Sequence, residues 1–352
     1  MKEYIGCDSH QRYSVFVRVN EGGQAGAAER VENDRATMRQ YLRRLPAGSA
    51  VAVEASGGWY WLVDEIEAAG LIAKLTDPKE AKQRMRGRNK TDEIDARGLA
   101  YLLYDERLPE VWIPPAELRD LRGLLRTRLS MRRVTTSLKN RISAAIRRYG
   151  LREDECSDLF AGTGRVHLSS YIGWLPLQTR FAAQEEWALL DETEKRIKRL
   201  EDRIADRIGK VGWVRMLKSL PGVGDILGAT LWLEIGDVKR FHSAEHLASY
   251  AGLTPTVFSS GGKTHMGPTP KSANHYLKWA FVEAASATIR QRNKYVFTHV
   301  GRVYERIKKQ KCSAKAKVAV GRHLAEASYW ILTRKQFYRE PAPALVASSK
   351  NG

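Results

Sequence analysis

Two short apolar runs that each finish on a carboxylate constrain how the start of this chain can fold. Tyr4-Ile5-Gly6-Cys7-Asp8 and Val51-Ala52-Val53-Glu54 read as strands, and packing gives no reason for an acid at the end of either. Between them Tyr13, Val15, Val17 and Val19 alternate with the period of a half-buried strand, and Asn20-Glu21-Gly22-Gly23 is a turn. Leu71 to Leu75 is a further strand, and helices are expected over about 33–45, stopped by Pro46, and over 60–69. A Lys/Arg-rich segment then leads into a helix holding Asp92 and Asp95, and Pro114-Pro115 closes an α/β domain over residues 1–115.

Asp92 and Asp95 are three residues apart and share one helix face. A mixed sheet and a helix that bring Asp8, Glu54, Asp92 and Asp95 together place like charges side by side, which cations must neutralise. An oxygen-only set suits Mg²⁺, with Mn²⁺ as the alternative. Two such ions about 4 Å apart activate a nucleophile and steady a leaving oxygen on phosphorus. The bland alternative makes Asp92 and Asp95 a solvated helix face, as Asp64, Glu80 and Glu93 are taken to be. His10 is read as structural, with contact to substrate as the alternative. Lys90 and Arg97 flank the helical acids and are expected to meet the phosphate backbone.

Charge narrows the partners. Lys and Arg number 59 against 40 Asp and Glu, a formal net of +19, which points to a polyanion without choosing between DNA, RNA and an anionic membrane. The excess sits at +8 over residues 116–150 and +14 over 257–352, two regions expected to contact nucleic acid. Arg122, Arg126, Arg133 and Arg141 recur at helical spacing beside an apolar stripe of Leu118, Leu121, Leu125 and Leu129, so one face packs and the other touches phosphates. The alternative is a solvated helical face. Three scattered cysteines supply neither a disulfide framework nor metal-ligand spacing, and no apolar run reaches the roughly 18 residues of a membrane span. A cytoplasmic protein without signal peptide or membrane partner is expected.

Residues 116–183 read as a basic helix followed by a Gly-rich linker from Cys156 to Leu177. Over 184–212 Leu190, Ile197, Ile204 and Val211 fall seven apart, interrupted in the second seam at Thr193 and Arg207, which predicts a coiled coil or an antiparallel helical pair. Residues 213–340 form a mainly helical domain, and 341–352 a frayed tail. In that domain Leu220-Pro221-Gly222-Val223-Gly224 reads as a helix-hairpin-helix. Backbone N–H groups at Gly222 and Gly224, with Lys218 beside them, would hold a phosphate; the alternative is a packing device. Further on, Ser260 stands beside Gly261 and Gly262 among Lys263, Lys271 and Lys278. It is the candidate nucleophile on phosphorus, chosen over the neighbouring Ser259 because glycine directly follows it, with lysines stabilising the developing charge; the alternatives are Ser259 itself or a merely flexible loop.

Taken together, these segments resemble the DEDD-type transposases of the insertion sequence 110 family. Gly6-Cys7-Asp8 and Glu54-Ala55-Ser56-Gly57 are similar to the family's first two acidic positions. Lys90-Thr91-Asp92-Glu93-Ile94-Asp95-Ala96 matches its K-x-D-x-x-D-A segment. Leu220 to Gly224, Ala251-Gly252-Leu253-Thr254-Pro255, and Ser260-Gly261 with Gly267, Lys271 and Asn274 match its second domain. The chain departs at Pro270, Ala273 and Lys278, where members usually carry an aliphatic residue, glycine and arginine. The resemblance implies a RuvC-like (ribonuclease H-like) N-terminal domain whose Asp8, Glu54, Asp92 and Asp95 hold Mg²⁺, and a C-terminal domain offering Ser260 as nucleophile. It further implies a dimer or tetramer that pairs one protomer's acids with another's serine. Donor and target DNA would be recombined under a noncoding guide RNA from the element, at the nucleoid. Two other readings stay open: a metal-dependent junction-type endonuclease using activated water, and a non-catalytic nucleic-acid scaffold.

Overall fold

The computed structural model describes residues 2–85, 91–151, 158–260, 262–269 and 272–341. The chain divides into two units, Met1–Ala116 and Glu117–Gly352.

The first unit is built outward from β1 (Tyr4–Ser9). It pairs antiparallel with β2 (Tyr13–Val19), which pairs antiparallel with β3 (Glu29–Glu32). On its other side β1 runs parallel to β4 (Ala50–Glu54) and β4 parallel to β5 (Ile72–Thr76), with a two-residue antiparallel β6 (Glu110–Val111) at the edge. One face packs on α1 (Arg35–Leu42) and α2 (Trp59–Ala68), with Ile5, Cys7, Val51 and Val53 buried beside Met38, Leu62 and Ile66. After α3 (Pro78–Arg84), α4 (Asp92–Tyr104) covers the opposite face, where Ala52 meets Leu99, Leu102 and Leu103 and Val15 and Val17 meet Ala96.

That close cover depends on Gly6. A β-carbon there would fall inside contact distance of the Ala96 carbonyl oxygen and the Ala100 nitrogen, backbone atoms that cannot swing aside. Gly6→Ala is expected to cost about 3 kcal/mol, the upper end of ordinary overpacking, because the whole helix must shift. Thermal unfolding of wild type and variant checks this; an unchanged midpoint would refute it.

The second unit opens with α5 (Ala116–Arg148) and α7 (Leu177–Ile208), 33 and 32 residues long. Ion pairs join Arg128 to Glu201, Lys139 to Glu194 and Arg141 to Glu186, so the two helices run antiparallel. The seam is therefore closed within one chain. Thr193, which breaks the heptad in sequence, is buried and returns its hydroxyl to the Leu189 carbonyl at 2.7 Å. The helix starts at Leu177, ahead of the expected 184. The stretch read as linker holds α6 (Gly164–Gly173), whose Leu168 and Ile172 are buried with Ile142 and Ile146 of α5. Two buried apolar side chains, Leu168 and Ile172, in ten residues are too few for periodicity to reveal a helix.

The remainder is mainly helical: α8 (Gly212–Leu217), α9 (Asp225–Ile235), a 3₁₀ turn (Val238–Arg240), α10 (Ala244–Tyr250), the hairpin of β7 (Val257–Ser260) and β8 (Lys263–Met266), α11 (His275–Arg290), α12 (Arg292–Tyr295), α13 (His299–Gln310) and α14 (Ser313–Arg334). Their core includes Leu217, Leu231, Leu247, Phe281, Val320 and Leu324. The tail beyond residue 341 lies outside the described residues. Among the described residues no helix is long and apolar enough to cross a membrane.

Candidate active site

Asp8 is the penultimate residue of β1, two residues after Gly6 and so on the face that α4 covers. Because Cys7 pairs with Val53 in the parallel register, Glu54 ends β4 alongside it. Glu54 shares the alternation of Ala52, and so the same face. The Thr91 hydroxyl caps α4, accepting from Ile94 N at 3.2 Å, and sets Asp92 and Asp95 in its first turn, where the helix dipole favours carboxylates. Both are half-buried, whereas Glu93 and Ile94 between them are exposed. The two acids are therefore less exposed than the residues between them, and both act on the charge of Asp8.

His10 Nε2 lies 3.1 Å from Asp8 Oδ2 and 3.2 Å from Asp92 Oδ2, and the Tyr13 hydroxyl donates to Asp92 Oδ2 at 2.9 Å. One donor atom from each of Asp8, His10 and Asp92 lies within 4.8 Å of the others. Burial pushes the Asp8 carboxyl above its ordinary pKa. His10 opposes that shift, and the charges of Asp95 and Asp92 add to it. A poorly solvated carboxylate crowded by two others fits a hard divalent cation, which would relieve the repulsion that His10 now bridges. Sequence reading missed Tyr13 as a member of this group. Its signal was the alternation itself, since Tyr13 shares the α4-facing side of β2 with Val15 and Val17.

The basic residues are placed differently from expectation. Arg122 is buried, and its Nε and Nη2 donate to the carbonyls of Leu233 and Glu234 at 2.7 and 3.1 Å, closing the C-terminus of α9. Arg126 makes two bonds to the buried Glu234 carboxylate, at 2.9 and 3.0 Å, and lies over the Tyr276 ring. Arg141 pairs with Glu186 at 3.0 Å and Arg97 with Glu93 at 2.6 Å. Arg122 and Arg126 are thus structural rather than phosphate ligands, and Arg97 and Arg141 are already paired with acids. A charge count over consecutive residues cannot see acids 45 to 112 residues away. Arg133 alone of the four helical arginines lacks an acidic partner among the described residues. With Arg132, Thr136, Leu129, Tyr276 and Trp279 it lines a cleft of about 270 Å³.

The turn between α8 and α9 is also corrected. Gly222, at φ +74°, lies so close to α11 that a β-carbon would strike the Ala284 carbonyl and the Thr288 hydroxyl. Its role is close packing. Gly224 is exposed at the N-cap of α9, and Lys218 Nζ pairs with Asp225 Oδ1. An acid in that first turn competes with a phosphate for the same helix end. On the β7–β8 hairpin, Ser260 pairs with Lys263 across the strands, while the side chains of both lie outside the described set. Lys90 and Lys271 lie outside the described residues. Lys278 Nζ donates to the Thr269 hydroxyl at 2.6 Å. Asn274 caps α11, accepting from Tyr276 N and Leu277 N, and its amide donates to Glu234 at 2.9 Å.

Comparison with known proteins adds independent information. A family model described as DEDD_Tnp_IS110, transposase, matches residues 5–150, and one described as the transposase IS116/IS110/IS902 family matches residues 214–299. The chain is 26% identical to the transposase for insertion sequence element IS1111A of Coxiella burnetii, over 95% of this chain and 91% of that one. It is 25% identical to a probable family 20 transposase of Pseudomonas aeruginosa, over 73% and 75% of the two chains. Over 72 residues it is 46% identical to an uncharacterized 43.6 kDa protein of insertion element IS110 from Streptomyces coelicolor, covering 20% of this chain and 18% of that one.

Proposed function

Because the chain belongs to the IS110/IS116/IS902 family of transposases, enzymes acting on DNA, we propose that it is an RNA-guided recombinase that cuts and rejoins DNA through a covalent phosphoserine intermediate. The observation carrying this reading is the convergence of Asp8, Asp92 and Asp95 under α4, with Glu54 ending the neighbouring strand on the same face. The mixed sheet that produces this convergence supports a RuvC-like, ribonuclease H-like first domain. The four acids would hold Mg²⁺, which supplies Lewis-acid stabilisation of charge on phosphoryl oxygens when bound.

In this reading the Ser260 oxygen forms a bond to phosphorus as the bond from phosphorus to a sugar oxygen breaks, and the proton lost by the serine hydroxyl ends on that departing oxygen, which leaves as a hydroxyl. Religation reverses the exchange on a second strand. Lys263, Lys271 and Lys278 offset the added negative charge. Base pairing by a noncoding RNA from the element would supply sequence choice for donor and target DNA, leaving the protein to grip backbones. The cleft of Arg132, Arg133, Tyr276 and Trp279 is suited to that grip, with cations that have no acidic partner among the described residues beside aromatic side chains. A dimer or tetramer would bring one protomer's acids to another's serine, and the complex would work at the nucleoid.

Denaturing gels of the protein with Mg²⁺, the RNA encoded beside its gene and matching labelled DNAs test this. Wild type is expected to give a shifted, protease-sensitive band that Ser260→Ala abolishes and Ser259→Ala retains. Cleavage without any adduct would favour a metal-dependent nuclease instead.

A further inference from the structure

One cavity of the second unit shares no lining residue with the serine hairpin or the arginine cleft. It opens between α8, the end of α9 with the following 3₁₀ turn, and the end of α14, and has a volume of about 540 Å³. Phe241 and Leu332 are buried at its floor, and Trp213, Trp232 and Tyr329 form half-buried walls. Lys239 and Lys335, both exposed, stand at the rim on different elements, and neither is paired with an acid among the described residues. The rim's one carboxylate, Asp237, accepts from Lys239 N at 2.9 Å as a cap.

We propose that this cavity takes one unstacked nucleobase of a single strand, with the adjoining phosphates held by Lys239 and Lys335. Three aromatic walls offer π-faces that every base can stack on, and the volume lies within the range of single-ligand sites. Recombination by a DNA-acting enzyme of this family passes through strands that have lost their partners, so unstacked bases are available to it.

Lys335 supplies a second, independent argument. It is one of only two non-glycine residues at positive φ among the described residues, at φ +57° as the C-cap of α14. Glycine is the ordinary residue there, and a lysine is held in a disfavoured conformation. Strain of that kind accumulates where a side chain is needed. Here it keeps an ammonium group at the mouth of an aromatic cavity in a region carrying +14.

The test uses the full-length protein and a single-stranded oligonucleotide bearing one 2-aminopurine, whose fluorescence falls when it stacks. Its counterpart carries an abasic site at that position. Wild type is expected to quench the probe and to bind the abasic strand about tenfold more weakly, within the range of base–aromatic stacking. Lys335→Gly is expected to keep or raise the unfolding temperature while weakening binding severalfold and reducing the quench. Trp213→Leu should reduce the quench further, and Lys335→Gly keeps the test decisive if that variant fails to fold. No quenching by wild type, equal affinity for the abasic strand, or quenching unchanged in both variants would overturn the proposal. Duplex binding measured in parallel separates the premises. Intact duplex binding with no abasic effect removes the pocket alone, whereas no binding of any DNA strikes the DNA-acting premise.

Discussion

Asp8→Asn is expected to abolish strand cleavage while leaving nucleic-acid binding within about twofold of wild type. The substitution keeps the size of the side chain and removes the charge at Asp8, whose side chain is 14% exposed against 39% for Asp92. If these acids hold Mg²⁺, losing the central one removes several kcal/mol of charge stabilisation at phosphorus, a rate loss of about a thousandfold or more. Cleavage assays over a Mg²⁺ series, with binding measured in parallel, check the result. Recombination at the wild-type rate would sink the metal assignment. His10→Ala gives a sharper contrast, because His10 bridges Asp8 and Asp92 without itself being an acid. Its loss should lower the Mg²⁺ concentration needed for activity if the cation takes the place that His10 now holds between the two carboxylates.

The second large effect is on folding. Glu234 is fully buried, and its carboxylate accepts two bonds from Arg126 and one from Asn274, with Arg122 at 3.9 Å. Burial pulls the Arg122 guanidinium below its ordinary pKa, opposed by the charge of Glu234. Glu234→Ala would leave two cations without their anion and is expected to cost about 3–5 kcal/mol. Chemical denaturation should show the transition midpoint falling with an unchanged slope. A loss under 1 kcal/mol would mean that water or another acid replaces the carboxylate. The effect should also reach the α11 cap, since the Asn274 side-chain amide donates to Glu234 while its Oδ1 accepts from Tyr276 N and Leu277 N.

Much of the first unit was legible because its signals are local. Alternation in Tyr13 to Val19 and the apolar run Val51 to Val53 each carry their own period, and Asp8 and Glu54 stood out by contrast with the runs they end. The spacing of Asp92 and Asp95 placed them on one face but could not say which way that face points; Gly6 decides this by letting α4 settle on β1. The basic helix was misread for the complementary reason. Arg122 and Arg126 look like phosphate ligands in sequence because their partner, Glu234, lies more than a hundred residues away. Gly222 likewise reads as an anion cradle until the helix that presses on it is known. Local composition reports charge, while long-range pairing decides whether that charge is still available to a partner.

The antiparallel pair of α5 and α7 has a metric consequence. At 1.5 Å per residue, 33 residues extend about 50 Å, the length of about fifteen base pairs of duplex. One end is anchored by Leu125, Leu129, Ile204 and Ile208 on α8 and α9, and the other by Ile142, Ile146 and Ala183 beneath α6. A duplex lying along the full length of α5 would meet its two ends about one and a half helical turns apart, and so would present nearly opposite sides of the double helix to them. On that geometry the arm would serve as a yardstick, setting the phase as well as the spacing of whatever its ends grip.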